Sequence, residues 1–357
     1  MFSSLPFGYM FLFVMSVGSL LSISSIHWLS IWAGLEINLI GFLPLLIYQK
    51  NISESESAVK YFVIQALGSS LLIFGSLMAF NLSFTWDLYS SYYFSTFGFV
   101  ILSIGLCIKL GVFPFHYWLP GVMAGLSWFS CLLLATWQKL APLFLLLCFL
   151  ELNKSYEMIY MFCLVSAGSS LMGGFGGMNQ TQIRALLAYS SIGHLGWMVF
   201  AISHSEWTMK MYFLIYIVIS LSMFMSLWLN NSSPMKNISN LKTSNMMQGS
   251  IMLLLLSLGG LPPLLGFISK LLVIIIGSKG PWLLIIFVLI LGSLMSLFYY
   301  LSLFFSFFLN TTKSYGLSNM SVNGTIIVMI NVFNIIGGVI ILMTNLMNSI
   351  YAMTIFY

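Results

Sequence analysis

Charge is what this chain has least of. Only 5% of its 357 residues are charged, twelve of them basic and seven acidic. A soluble domain carries about 25% charged residues, so a chain this poor in charge cannot cover a water-facing surface. The net charge of +5 is scattered and forms no basic cluster, which argues against a nucleic-acid partner. Cysteine is scarce as well. Cys107, Cys131, Cys148 and Cys163 all lie in apolar runs and none belongs to a CxxC pair. Metal or iron–sulfur ligation is therefore not expected, and the thiols read as small apolar packing groups. No phosphate-binding loop, glycine-rich dinucleotide turn or HExxH motif is present. The chain thus has no evident means of its own to use ATP or to carry electrons. The N-terminal MFSSLPFGYMFLF lacks a basic leader region and an Arg/Ser-rich stretch, so a first membrane span is expected there rather than a signal or transit peptide.

Apolar length is abundant. The chain is 60% hydrophobic and its mean hydropathy is +1.03. A spanning helix takes roughly 20 apolar residues, whereas membrane β-barrels need short alternating segments; the runs here are long and continuous. The fold class expected is an all-α polytopic membrane protein of about eleven transmembrane helices. They fall near 7–26, 28–48, 58–82, 93–113, 125–150, 157–176, 181–203, 208–229, 249–276, 281–309 and 324–347. The polar stretch 230–248 is expected to be a loop. Alternating the connections by side puts Lys50, Lys60, Arg184, Lys236, Lys242 and Lys313 with the N-terminus. Lys154, Lys210 and Lys279 fall opposite, together with Asp87, Glu151, Glu157 and Glu206. The basic excess predicts that the N-terminus lies on the positive, cytoplasm-equivalent side.

Against this background the ionisable residues inside spans stand out. Glu36, Lys109, Lys139 and Lys270 each lie deep in an apolar run. A charge at the centre of a membrane helix costs about 2.5–3.5 kcal/mol on insertion scales. Two of the lysines adjoin helix breaks. Pro114 and Pro120 interrupt the chain after Lys109, and Pro262 and Pro263 precede Lys270. The segments KLGVFPFHYWLP and LGGLPPLLGFISK each pair a Gly/Pro break with a lysine, five spans apart. Broken helices in corresponding halves commonly mark transporter sites near the bilayer midplane. Residues 1–150 and 151–310 are therefore expected to be two inverted repeats. The glycines of GGFGG at 173–177 suit close helix packing, not phosphate binding.

Burial disfavours a charged lysine and a nearby carboxylate restores it. A glutamate that approaches and leaves a lysine therefore switches that lysine's hold on its proton. On this ground Glu36, Lys109, Lys139 and Lys270 are the candidate proton relay. Static ion pairs, or lysines reaching for the interface, would place the same residue types in spans, and Lys60 fits that description well. His116 in the first break, His194 beside Ser190 and Ser191, and Lys60 are secondary candidates for relay or gating.

Six segments then match a known pattern in order: WAGLEINLIGFLPLL, AVKYFVIQALGSSLLIFG, KLGVFPFHYWLPGVMAGLSW, TWQKLAP, NQTQIRALLAYSSIGHLGWM and LGGLPPLLGFISK. Together they resemble the antiporter-like membrane subunits of respiratory complex I, specifically the animal, arthropod-like subunit-2 family. The resemblance covers nearly the whole chain. It implies two inverted five-helix halves, each with a discontinuous helix, plus an extra C-terminal helix within 311–357. It also implies that Glu36, Lys109, Lys139 and Lys270 are the family's intramembrane glutamate, first broken-helix lysine, central lysine and second broken-helix lysine. The location implied is the mitochondrial inner membrane with the N-terminus in the matrix. NADH, flavin, iron–sulfur clusters and ubiquinone would be handled by other subunits. The expected partners are other membrane-arm subunits, including neighbouring antiporter-like ones, and membrane lipids. Two alternatives stay open: a stand-alone cation/proton antiporter, and a structural subunit without a working proton path.

Overall fold

The computed structural model describes residues 7–48, 51–88, 96–152, 155–229, 245–311, 331–332 and 334–339. Among these residues the architecture is helical, with a single isolated β-bridge between His27 and Asp87. The chain runs through α1 (Gly8–Ser24), α2 (Trp28–Ile47), α3 (Ile52–Ser83), α4 (Thr96–Leu110), α5 (Trp118–Gly125), α6 (Trp128–Ala135) and α7 (Trp137–Leu152). It continues through α8 (Tyr156–Met178), α9 (Ile183–His204), α10 (Glu206–Leu229), α11 (Asn245–Gly259), α12 (Leu265–Gly277) and α13 (Leu283–Thr311). Among the described residues, seven stretches are long and apolar enough to cross a membrane: α2, most of α3, the run Trp128–Leu152, α8, α9, most of α10 and most of α13. Shorter apolar helices occur at Gly8–Ser24, Phe97–Leu110, Gly249–Gly259 and Leu265–Gly277. The protein is a multi-pass membrane protein.

The breaks account for the shorter helices. The runs expected at 93–113 and 249–276 are each interrupted by a glycine. Gly111 has φ +73° and Gly260 has φ +82°, a backbone region that glycine enters without penalty. Both ends close in the same way. The amides of Gly111 and Val112 donate to Cys107 O at 3.0 and 3.2 Å, and that of Gly111 also to Ile108 O. The amides of Gly260 and Leu261 donate to Leu256 O at 3.1 and 3.3 Å, and that of Gly260 also to Ser257 O. This six-to-one and five-to-two pairing is the Schellman stop, which satisfies the last carbonyls of a helix. Pro114 and Pro263 sit three residues beyond these glycines. Pro120 does not break the chain. It lies in the first turn of α5, where its missing N–H costs nothing. A milder bend parts α6 from α7 at Thr136, whose hydroxyl donates to Leu132 O at 2.7 Å, a back-bond that bends helices.

Chain contacts divide the protein into two units, Met1–Ser169 and Ser170–Tyr357. In the first, α1 and α2 pack backbone to backbone. A Cβ on Gly34 would stand 2.6 Å from Ser22 N, and one on Gly41 2.7 Å from Met15 N. Such small-residue contacts let membrane helices approach closely. An aromatic core ties α2, α4 and α7 together: Phe99 stacks on Phe149 at 3.8 Å, and Trp28 meets Phe149 edge-on at 5.8 Å. These three helices carry Glu36, Lys109 and Lys139.

In the second unit α9 is the central helix, buried along almost its whole length. The α8 glycines do pack closely. A Cβ on Gly173 would meet Gly193 N at 2.6 Å, and one on Gly177 would meet Tyr299 at 2.6 Å. The amide of Leu265, the first residue of α12, donates to Asn334 Oδ1 at 3.2 Å. Residue Leu264 before it offers no capping side chain, so Asn334 supplies a cap from a distant part of the sequence. Asn334→Leu is expected to remove about 1 kcal/mol, the usual loss with a helix cap, read as a lower thermal midpoint.

The expected span 324–347 lies outside the described residues except at 331–332 and 334–339, as do the orientation residues Lys50, Lys154, Lys236, Lys242 and Lys313.

Candidate functional site

The first unit gathers three of the four deep charges. Lys109 ends α4 just before the break and is buried. Its Nζ stands 4.0 Å from Oε1 of Glu36 on α2. That distance exceeds a hydrogen bond and is an ion pair only in the loose sense. Two unit charges at 4 Å still interact by about 4 kcal/mol at an effective dielectric of 20. The break is held by side chains that answer the carbonyls of the last turn. Gln65 Nε2 on α3 donates to Lys109 O at 3.3 Å, and Trp118 Nε1 on α5 donates to Ile108 O at 3.2 Å.

Lys139 sits in the first turn of α7, just past the bend at Thr136, and is buried. Lys109 and Lys139 line one small cavity of about 20 Å³, room for one or two water molecules. Its other polar walls are Asn38, Tyr61, Gln65 and Gln138. Asn38 and Gln138 form a reciprocal amide pair. Each donates to the other's carbonyl oxygen at 3.1 Å, and the Tyr61 hydroxyl donates to Gln138 Oε1 at 3.3 Å.

Lys270 belongs to the second unit. It is buried on α12, and its Nζ donates to Gly259 O at 2.8 Å. That carbonyl ends α11 at the second break, so the ammonium serves as its cap. Lys270 shares a small cavity of about 10 Å³, room for about one water, with His194, Ser170, Ser190, Ser293, Ser296 and Tyr300. His194 is buried, and its Nδ1 is 2.8 Å from the Tyr212 hydroxyl.

The remaining candidates stand apart. His116 lies in the first break, fully buried, with its ring against Tyr117 at 4.1 Å and Phe113 at 6.1 Å. Its nearest backbone partner is Pro114, and neither ring nitrogen makes a hydrogen bond of good geometry. It lines neither cavity. Lys60 is exposed on the early turns of α3. Cys107, Cys131 and Cys163 are buried, and Cys148 is exposed. Asn38, Tyr61, Gln65, Gln138 and Tyr212 were not singled out by sequence. The signal available was that three of them are amides inside apolar runs, almost as costly there as charges.

A chemical character follows from these groups. Two lysines and a wall of three amides and a phenol around one cavity, with a carboxylate loosely paired to one of the lysines, suit proton transfer. There is no strong nucleophile beside a base within this set.

Comparisons agree with that character. Residues 25–296 match the family model for the NADH:quinone oxidoreductase/Mrp antiporter transmembrane region. The NADH-ubiquinone oxidoreductase chain 2 of Anopheles gambiae is 42% identical over 338 residues, covering 92% of this chain and 95% of that protein. The chain 2 of Lumbricus terrestris is 40% identical over 292 residues, covering 81% of this chain and 83% of that protein. A chain of respiratory complex I from Thermus thermophilus superimposes with a TM-score of 0.81 at 24% identity, covering 93% of this chain and 78% of that one.

Proposed function

The chain belongs to the NADH:quinone oxidoreductase/Mrp antiporter transmembrane family, among the NADH-ubiquinone oxidoreductase chain 2 proteins, and from that premise we propose how its buried charges work. The chain is a proton-translocating membrane-arm subunit of respiratory complex I. The carriers are Glu36, Lys109 and Lys139 in the first unit and Lys270 in the second. The observation that carries this reading is the single polar cavity lined by both Lys109 and Lys139, with the Glu36 carboxylate 4.0 Å from the Lys109 ammonium.

The steps follow from the geometry. With Glu36 close and ionised, Lys109 keeps its proton. As the carboxylate withdraws, the charged form in its dry surroundings loses its support. The proton then passes across the cavity to Lys139. Water in a polar cavity of this kind carries protons by handing them on, each oxygen forming one O–H bond as it releases another proton to the next acceptor. In the second unit Lys270 and His194 face one cavity, and the imidazole is suited to relay a proton near neutral pH. NADH oxidation, flavin, iron–sulfur clusters and ubiquinone reduction belong to other subunits, which supply the driving force.

The finer architecture belongs to the same proposal. About eleven helices cross the membrane. They form two inverted halves, 1–150 and 151–310, followed by a C-terminal helix in 311–357. The matching Schellman stops at Gly111 and Gly260 support the two halves. The protein resides in the mitochondrial inner membrane with its N-terminus in the matrix. It contacts other membrane-arm subunits, neighbouring antiporter-like subunits among them, and lipid.

The test is proton uptake by vesicles carrying the assembled complex. Glu36→Gln keeps the shape and removes the charge. It is expected to lower NADH-driven proton uptake at least about tenfold, a floor set below the roughly 10²–10⁴-fold contribution of a positioned proton-transfer group. Lys60→Ala is expected to stay within about twofold, as an exposed interfacial lysine should. Equal small effects from both would count against the relay. Proton–cation exchange by the chain isolated from any redox complex would favour a stand-alone antiporter.

A further inference from the structure

The amide pair between α2 and α7 has more hydrogen-bonding capacity than the protein uses. A primary amide offers two N–H donors and an oxygen with two lone pairs. In the reciprocal pair, Asn38 and Gln138 each commit one donor and one lone pair. Tyr61 takes the second lone pair of Gln138 Oε1. One N–H on each amide and one lone pair on Asn38 are left. Asn38 and Tyr61 are buried, and all three side chains line the cavity that holds Lys109 and Lys139. Polar valences turned into such a space are satisfied by water, and a buried water typically makes about three hydrogen bonds.

The choice of amides also has a chemical consequence. A lysine ammonium donates three hydrogen bonds and accepts none. Water between two lysines must therefore present oxygen to whichever one is charged and a proton outlet toward the other. Amide N–H groups fix water by its oxygen, and an amide oxygen fixes it by a hydrogen. Neither group gains or loses a proton near neutral pH, so neither traps the proton in passage. A carboxylate at the same place would hold it.

Resting on the relay reading above, we propose that Asn38, Tyr61 and Gln138 are positioning residues for transfer between Lys109 and Lys139. Their ligand is water, and their hydrogen bonds orient the one or two water molecules that the cavity has room for and along which the proton crosses. The same ring of bonds ties α2, α3 and α7 together.

The experiment uses the assembled complex and reads NADH-driven turnover together with its solvent deuterium isotope effect. The isotope effect separates this role from simple packing, because a merely structural group does not make proton transfer rate-limiting. Gln138→Met keeps the volume and removes the amide. Turnover is expected to fall about tenfold, with a raised isotope effect. Tyr61→Phe removes a single hydroxyl and is expected to cost about threefold, also with a raised isotope effect.

A Gln138→Met complex that assembles normally with unchanged turnover and isotope effect overturns the proposal. If that variant does not assemble, Tyr61→Phe decides, and an unchanged isotope effect there overturns it equally. Lys139→Met in the same assay separates the two levels. A silent Lys139→Met sinks the relay itself. A disabled Lys139→Met beside a silent Gln138→Met sinks only the role of the amide cluster.

Discussion

Lys139→Met is expected to lower NADH-driven proton translocation by the assembled complex at least about tenfold, toward the roughly hundredfold that is the lower end for a lost proton-transfer group. Methionine preserves the unbranched stem and fills the same space. Only the ammonium is removed. Replacing a buried ion with an apolar side chain of similar volume is often neutral or stabilising, so the complex should accumulate at its normal level. That separates lost function from lost folding. Lys109→Met is less clean, because it leaves the Glu36 carboxylate beside the break without its partner at 4.0 Å. Native-gel abundance and vesicle proton uptake, measured on the same preparation, read both quantities. Normal abundance with full uptake would show that Lys139 carries nothing.

Gly266→Val is expected to prevent the chain from accumulating in the complex. A Cβ at Gly266 would overlap the backbone carbonyl oxygen of Ser257, where α11 turns back into α12. Backbone opposes backbone there, so no rotamer change relieves the contact. The break would have to open, and overpacking of this kind costs about 3 kcal/mol or more. Gly266 lies one turn before Lys270 on the same helix face. Opening the break would also pull the Lys270 ammonium from Gly259 O, now 2.8 Å away. Gly121→Ala is the matched control. A Cβ at that position meets nothing within 4 Å, so abundance should not change. Equal abundance of both variants would mean that the close approach at the second break is not required.

Much of this was legible in the sequence because the membrane makes some choices expensive. Long apolar runs located α2, α3, α8, α9, α10 and α13, and the four deep charges announced themselves by rarity. The Gly/Pro breaks were visible too, but their mechanism was not. Gly111 and Gly260 end the helices through positive φ, whereas Pro120 falls where a helix tolerates proline. Periodicity alone cannot distinguish these positions, since all lie in apolar surroundings. The cavity walls were harder to read. Asn38 and Gln138 are a hundred residues apart in the chain. Uncharged polar groups are common enough in membrane helices that neither draws notice without its partner. His116 illustrates the converse. Its place in the break invited a role at the site, yet its ring is packed between Phe113 and Tyr117 and lines neither cavity.

The relay stands or falls on whether a proton has a path between Lys109 and Lys139. The direct measurement is a density map of the assembled complex in its native membrane, resting and turning over, at a resolution that places individual waters. The account predicts ordered water spanning the cavity from one ammonium to the other, hydrogen-bonded to Asn38, Tyr61 and Gln138, with Glu36 moving relative to Lys109 between the two states. A cavity without water in both states, with each lysine held in its own dry pairing, would contradict it.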